Sequence, residues 1–170
     1  VVGTVIKIEA ALMLLPLVTS LIYKESSAKA ILISIGIALV SGFALTLASR
    51  PGTKVIYAKE GFVIVSLAWL ALSLVGALPF YISKEIPSYI DAFFETVSGF
   101  TTTGASILTN VEIMSKGLLM WRSFTHWIGG MGVLVFVMAV ASNITDRSIH
   151  IMRAEMPGHV VGKLVPRAKD

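Results

Sequence analysis

Four apolar stretches, each about as long as a membrane-crossing helix, constrain the fold of this chain more than any other feature. They run from about Val5 to Tyr23, Lys29 to Ala48, Phe62 to Tyr81 and Gly117 to Ala141. The hydrocarbon core of a bilayer is roughly 30 Å thick and takes about 20 residues as helix, so each stretch can cross it once. We therefore predict an all-α integral membrane fold with four transmembrane helices.

The composition agrees with a membrane fold and argues against several classes of soluble protein. Of the 170 residues, 55% are hydrophobic and 14% are charged, whereas globular domains carry roughly 25% charged residues. The net charge of +4 is spread between the apolar stretches. Because it forms no compact basic patch, we expect no nucleic-acid partner. Cysteine is absent, which excludes disulfide scaffolds and cysteine catalysis.

Residues 83–116, between the third and fourth stretches, are of mixed character and contain the sequence FFETVSGFTTTGAS. Ser88 can cap a helix that begins at Tyr89, and the side chain of Asp91, in the first turn, can bond in return to the backbone of Ser88. A helix over residues 89–98 would be about 15 Å long at 1.5 Å per residue, which is half a membrane. We therefore predict a re-entrant pore helix that enters and leaves the membrane on one side.

The residues that follow this helix, 101–106, have the composition of a cation filter loop. The carbonyl-terminal end of the helix, which is the negative end of its dipole, would face them and favour a cation. Gly104 would permit the backbone angles that turn successive carbonyls the same way. Carbonyls can then replace the hydration shell of an ion, and the residues that would supply them are Thr101, Thr102, Thr103 and Gly104. An ordinary external loop behind a short surface helix is the alternative.

Asp91 and Glu95, four residues apart, would share one face of the pore helix, with Ser98 near its end. The two carboxylates could be mistaken for a catalytic pair, but a helix start and a pore vestibule account for them. No nucleophile, base or metal cluster accompanies them in the sequence, because the three histidines are scattered. We expect a protein that is not an enzyme and that uses no cofactor, with K⁺ only as the transported ion.

The fourth stretch contains WRSFTHWIGGMGVLVF, and its glycines indicate a close approach by another backbone. Gly129, Gly130 and Gly132 would let the pore helix or the filter strand lie against this helix, and generic helix packing is the alternative. Arg122 is expected to extend to the outer surface or to pair with an acidic residue such as Glu112. His126 is either a functional ionisable group or a packing residue.

The basic residues predict the orientation of the chain. Eight basic residues lie between the second and third stretches or after the fourth, and four lie at the other ends of the stretches. The positive-inside rule predicts that the side with eight basic residues is cytoplasmic. Lys7 and Glu9 are expected at the interface. The predicted domains are two N-terminal helices (1–49), a cytoplasmic linker (50–61), a membrane–pore–membrane unit (62–141) and a cytoplasmic juxtamembrane tail (142–170).

Two segments, DAFFETVSGFTTTGAS at 91–106 and WRSFTHWIGGMGVLVF at 121–136, resemble the first pore unit of the Trk/Ktr/HKT superfamily of potassium transporters, most of all its TrkH type. RAEMPG at 153–158 is similar to the segment that follows this unit. The resemblance implies four such units around one pore, preceded by two extra helices. Carried over by motif, the carbonyls of Thr102 and Thr103 would bind K⁺, and Thr101, Gly104 and Ala105 would complete the filter.

The resemblance also implies channel-like potassium uptake across a bacterial or archaeal inner (plasma) membrane. It implies a homodimer regulated by a cytosolic nucleotide-binding ring, and glycine at 104 favours K⁺ over Na⁺. One loop supplies a quarter of such a filter, so we expect the remaining pore units from the same longer chain or from other copies. The alternative function is a non-conducting membrane scaffold or assembly subunit whose threonine loop packs against a partner.

Overall fold

The computed structural model describes residues 1–48 and 58–133, without the side chains of residues 58–60. The described residues fall almost wholly in the first of two compact units, Val1–Met131; the second is Gly132–Asp170. Helices account for the regular structure of this described part, and no strand occurs in it. The predicted linker core (49–57), the end of the fourth apolar stretch and the tail lie outside the described residues.

The first membrane-length segment, Val2–Ile22, is built from two helices in sequence. Helix α1 is Val2–Leu12 and α2 is Leu14–Ile22, with the interruption at Met13. Pro16 explains its position, because proline has no N–H for the carbonyl four residues earlier and its ring crowds that carbonyl. The break therefore falls one turn before the proline.

Helix α3, Ser27–Ala48, is the second membrane-length segment and packs along α1. Its buried side follows a helical spacing through Ala30, Ile31, Ser34, Ile35 and Ala38. Gly3 and Gly42 bring the two backbones together, since a Cβ on Gly3 would lie 2.7 Å from the Gly42 carbonyl oxygen. Small residues at such a crossing are typical of helix pairs in membranes, where lipid is as apolar as leucine.

The third membrane-length segment, Gly61–Ile82, is interrupted in the same way. Helix α4 is Ala58–Gly76 and α5 is Leu78–Ile82, with Pro79 in the first turn of α5. Without an N–H at Pro79, the ladder breaks at Ala77. At this break, Trp121 Nε1 donates to the carbonyl of Gly76 at 2.9 Å.

Helix α6, Tyr89–Phe100, is the short helix of the mixed segment, and residues 116–133 form α7. At 1.5 Å per residue, α6 is about 18 Å long, too short to cross a bilayer. Its last residue, Phe100, is buried with its ring edge-on to Trp121 at 6.5 Å between centroids. The end of α6 therefore lies in the core, where α4 and α7 meet it.

Two acidic side chains hold the start of α7. Glu25, in the turn between α2 and α3, accepts from the Lys116 and Gly117 N–H groups at 2.8 and 3.0 Å. Glu85, after α5, accepts from the Ser115 N–H at 3.0 Å. The first N–H groups of a helix have no partner within it, and their positive dipole end favours carboxylates. The hairpin turn and the end of α5 are thereby tied to α7.

Lys7 and Glu9 of α1, both expected at the interface, have different surroundings. Lys7 lies with its Nζ 4.9 Å from the centre of the Phe43 ring and is half-buried. Glu9 is only 2% exposed. The interfacial prediction for Glu9 is therefore wrong, because α3 and α4 pack on both sides of α1 and cover it.

Gly129 on α7 lies against the last carbonyl of α6, and a methyl group there would test the contact. A Cβ at this position would overlap the Phe100 carbonyl oxygen, whereas a Cβ at Gly130 would have Thr102 Cγ2 as its nearest neighbour at 3.9 Å. Overpacking of a core typically costs about 1–3 kcal/mol. We expect Gly129→Ala to lower the thermal midpoint of the detergent-solubilised protein clearly, and Gly130→Ala to change it little. Equal midpoints for the two variants would contradict this packing.

Candidate functional site

The start of α6 is fixed by a local side-chain cap. Ser88 adopts extended backbone angles, and its Oγ accepts from the Asp91 N–H at 3.4 Å. Asp91 lies in the first turn, where a carboxylate complements the helix dipole. The helix continues to Phe100, two residues beyond the predicted 89–98. The chain therefore turns at Thr101, directly after a buried aromatic residue.

The loop after α6 has two residues in left-handed backbone conformations. Thr102 has φ +57° and Gly104 has φ +75°. Glycine adopts this region freely, but a β-branched residue there is strained, at a cost of about 1–3 kcal/mol. The turn is held by N–H groups that point back into the helix end: Thr102 donates to the Gly99 carbonyl at 2.9 Å and Thr103 to the Ser98 carbonyl at 3.0 Å.

The carbonyl groups of the loop are left free by this arrangement. In the described part of the chain, no hydrogen bond ends on the carbonyl oxygens of residues 101–104. The same residues are exposed. Thr101 Oγ1 donates to the Val97 carbonyl at 2.8 Å and lies 2.8 Å from Thr103 Oγ1. Its proton is therefore directed into the helix, and the hydroxyl can offer lone pairs to a cation.

Ser98 connects the far end of the loop to the helix. Its Oγ donates to the Ala105 carbonyl at 2.5 Å, and its own carbonyl accepts from Thr103 and more weakly from Gly104, at 3.4 Å. The Ala105 carbonyl, which the sequence places in the filter, therefore already has one partner. Ser98 acts on the loop by positioning it, through both its side chain and its backbone.

Glu95 is the buried centre of the site. Its side chain is 2% exposed, and one carboxylate oxygen accepts from Ser106 Oγ at 2.5 Å and from the Ile107 N–H at 2.7 Å. The other oxygen lies 3.0 Å from Arg122 Nε. One carboxylate thus joins α6, the residues after the loop and α7. A buried charge needs such a counter-charge and further hydrogen bonds to be tolerated.

Arg122 pairs with an acidic residue, which was one of the two outcomes expected for it, but the partner is Glu95 and not Glu112. Glu112 is exposed on the short 3₁₀ helix Val111–Ile113. The guanidinium pairs with the buried carboxylate because a carboxylate without a counter-charge costs more free energy inside the protein than at its surface. One signal of this role is present in the sequence, because Arg122 is the sole arginine or lysine in the apolar stretch after Lys116.

Asp91 and Glu95 have different surroundings, and Glu95 is buried, not open to a vestibule. Asp91 lies at the start of the helix, and Glu95 faces Arg122. His126 is half-buried, with Nδ1 3.0 Å from the Arg122 carbonyl oxygen one turn earlier. Among the described residues the ring has this one hydrogen-bond partner, and its role as a packing residue stays a prediction.

Gly129 and Gly130 of α7 lie where α6 ends and the loop begins. Gly129 is buried against the carbonyl of Phe100, and Gly130 faces the side chain of Thr102 across 3.9 Å. A Cβ on Gly99 of α6 would overlap Thr125 Oγ1, so small residues are needed on both helices. Gly132 lies in the second unit, and no contact is assigned to it.

Comparison with known proteins places this arrangement in a family. Residues 27–168 match the TrkH family, described as cation transport protein. The Trk system potassium uptake protein TrkH of Escherichia coli is 36% identical over 172 aligned residues, which cover 100% of this chain and 36% of that protein. An uncharacterized cation transporter of Methanocaldococcus jannaschii is 39% identical over 79% of this chain and 28% of its own length.

A solved structure agrees with the sequence relatives. The crystal structure of the potassium transporter TrkH from Vibrio parahaemolyticus superposes with a TM-score of 0.76 at 33% identity, covering 82% of this chain and 30% of that one. This chain spans about a third of the length of the relatives it matches. The membrane-length helices fit a multi-pass segment of the plasma membrane. The chain belongs to the TrkH family of cation transport proteins.

Proposed function

We propose that this chain supplies one of four pore loops of a channel-like potassium uptake system, with the backbone of residues 101–105 forming its share of the filter. The proposal rests on which backbone groups of the loop are hydrogen-bonded and which are not. The N–H groups of Thr102 and Thr103 are bonded to the end of α6, and the carbonyls of residues 101–104 have no hydrogen-bond partner among the described residues and are exposed. The relatives named as potassium uptake proteins support K⁺ as the ion.

The chemistry of the loop suits a monovalent cation. Its free ligands are neutral carbonyls and hydroxyls, because the buried Glu95 carboxylate is directed to Arg122 and away from the loop tip. Divalent cations such as Ca²⁺ prefer carboxylate ligands, whereas carbonyl rings replace the weaker hydration shell of K⁺. The end of α6, with its negative dipole, directly precedes these ligands.

One loop is insufficient for a ring, so the remaining pore units must complete the filter. They would come from the same longer chain or from other copies, and the exposed loop residues would face them. For the whole protein we extend the proposal to a homodimer that binds a cytosolic nucleotide-binding regulatory ring, with the basic segments on the cytoplasmic side. These partners rest on the family resemblance.

Gly104→Ser tests the filter directly. A Cβ here meets no atom within 4 Å, but φ is +75°, so the effect comes from backbone strain and not from a clash. Left-handed angles cost a non-glycine residue roughly 1–2 kcal/mol, equivalent to about tenfold in an equilibrium constant. We expect the ratio of K⁺ to Na⁺ uptake in proteoliposomes to fall by about that factor.

Gly36→Ser is the matched control for this substitution. Gly36 lies in α3 and also has open space around its Cβ position, but its φ lies outside the left-handed region. It should leave the uptake ratio unchanged. If Gly104→Ser shows the same ratio as Gly36→Ser, residues 101–105 do not form the filter.

The Glu95–Arg122 pair is tested by a double-mutant cycle. Arg122→Gln leaves a buried carboxylate without its counter-charge, and breaking such pairs typically costs about 3–5 kcal/mol. We expect Arg122→Gln and Glu95→Gln each to reduce stability and K⁺ uptake strongly, and the double variant to recover part of both. Coupling of roughly 0.5–3 kcal/mol is usual for contacting residues. Glu112→Gln, at an exposed position, is the control; strictly additive effects would contradict the assigned role.

A further inference from the structure

A second buried carboxylate, Glu9, lies behind the pore helix and is not used by the proposed filter. It is 2% exposed, and neither of its oxygens has a hydrogen-bond partner among the described residues. A Cβ on Gly76 would lie 2.9 Å from Glu9 Oε1 and 2.8 Å from Thr96 Cγ2. The carboxyl group therefore lies where α1, the end of α4 and the buried side of α6 meet.

No counter-charge reaches this carboxyl group from the described helices that surround it. Helix α2, residues 30–48 of α3 and residues 61–76 of α4 contain no ionisable side chain. Lys59 and Glu60 are at the opposite end of α4, about 24 Å or more from Gly76 along the helix.

The other ionisable groups on the neighbouring helices are engaged elsewhere or lie at helix ends. Lys7 lies over the Phe43 ring, Tyr89 donates its hydroxyl to the Leu74 carbonyl at 2.8 Å, and Arg122 pairs with Glu95. Asp91 lies in the first turn of α6, while Lys29 and Lys116 lie at the starts of α3 and α7. His126 faces the Arg122 carbonyl, and Tyr81 of α5 is exposed.

An isolated carboxylate in such a place is very costly, and neutralisation by a proton removes most of that cost. Because Glu9 is already enclosed within this unit, a proton is the ligand that fits without opening the helix packing. We propose that Glu9 is a proton-binding site behind the pore helix, and that potassium uptake requires its protonated form. The second half of this statement rests on the proposed function.

The connection to the loop runs through Thr96 and Gly76. Thr96 is fully buried on α6, five residues before Thr101, and the carbonyl of Gly76 holds the Trp121 indole. Ionisation of Glu9 would draw water in or displace α1 from this junction, and would remove support from α6. The packed state therefore binds a proton that an exposed glutamate releases at neutral pH, so raising the pH disfavours the packed state.

Glu9→Gln, which keeps the size of the side chain and removes its titration, tests the proton site without reference to transport. Infrared spectra of the wild-type protein at neutral pH should contain a protonated-carboxyl band that is missing in Glu9→Gln. The band should remain in Glu112→Gln, which makes the same chemical change at an exposed residue. Identical spectra for the wild type and Glu9→Gln would overturn the proton site.

Potassium uptake then tests the coupling. Wild-type uptake should fall as the external and internal pH are raised together, by up to about tenfold per unit, the limit for one proton. The Glu9→Gln variant should lose that component. A shared pH profile would overturn the coupling. A wild type that shows no K⁺ flux with all four pore units present would contradict the proposed function, and the infrared band would still decide the proton site. If Glu9→Gln does not fold, Glu9→Leu replaces it in both measurements.

Discussion

The carboxylate of Glu95 joins three parts of the chain that are distant in sequence, and the position of the threonine–glycine loop depends on it. Ser106 and the Ile107 N–H bind one oxygen, and Arg122 binds the other. Because a buried carboxylate is tolerated only while these partners are present, α6, α7 and the segment after the loop cannot separate independently. The near end of the loop is fixed by continuity with α6, so both of its ends are held by one helix.

The loop between these ends has a strained backbone conformation, which its hydrogen bonds maintain. Thr102 has a positive φ, and hydrogen bonds to the last turn of α6 support it. Backbone at membrane depth must satisfy its polar groups or line a cavity. Here the N–H groups of residues 101–104 are bonded to α6, and among the described residues their carbonyls have no partner, so the remaining polarity of the loop has one sign. This is the polarity that the proposed filter needs, and the left-handed Thr102 is part of the turn that leaves it.

Hydropathy and proline positions were sufficient to predict the helical membrane fold, because lipid exposure and helix breaks are local properties of the sequence. The same holds for the Ser88 cap and for glycine at 104, where short-range geometry decides. The partners of buried charges could not be predicted in this way. Arg122 meets Glu95 and Glu25 meets the start of α7 across long separations, and hydropathy identifies which groups are costly to bury without identifying what compensates them. Glu9 was misplaced for the same reason.

Glu9 and Glu95 are the same residue type at the same 2% exposure, yet they face opposite surroundings. Glu95 has a guanidinium and two hydrogen-bond donors, so it can remain charged and organise the loop. Glu9 has neither among the described residues, which is the basis for the proton proposed there. Glu95 belongs to α6, and Glu9 lies beside Gly76, next to the buried Thr96 of α6. Under that proposal a fixed charge and a neutral acid would both support α6, and the N-terminal helix α1 would contribute the titratable part of that support.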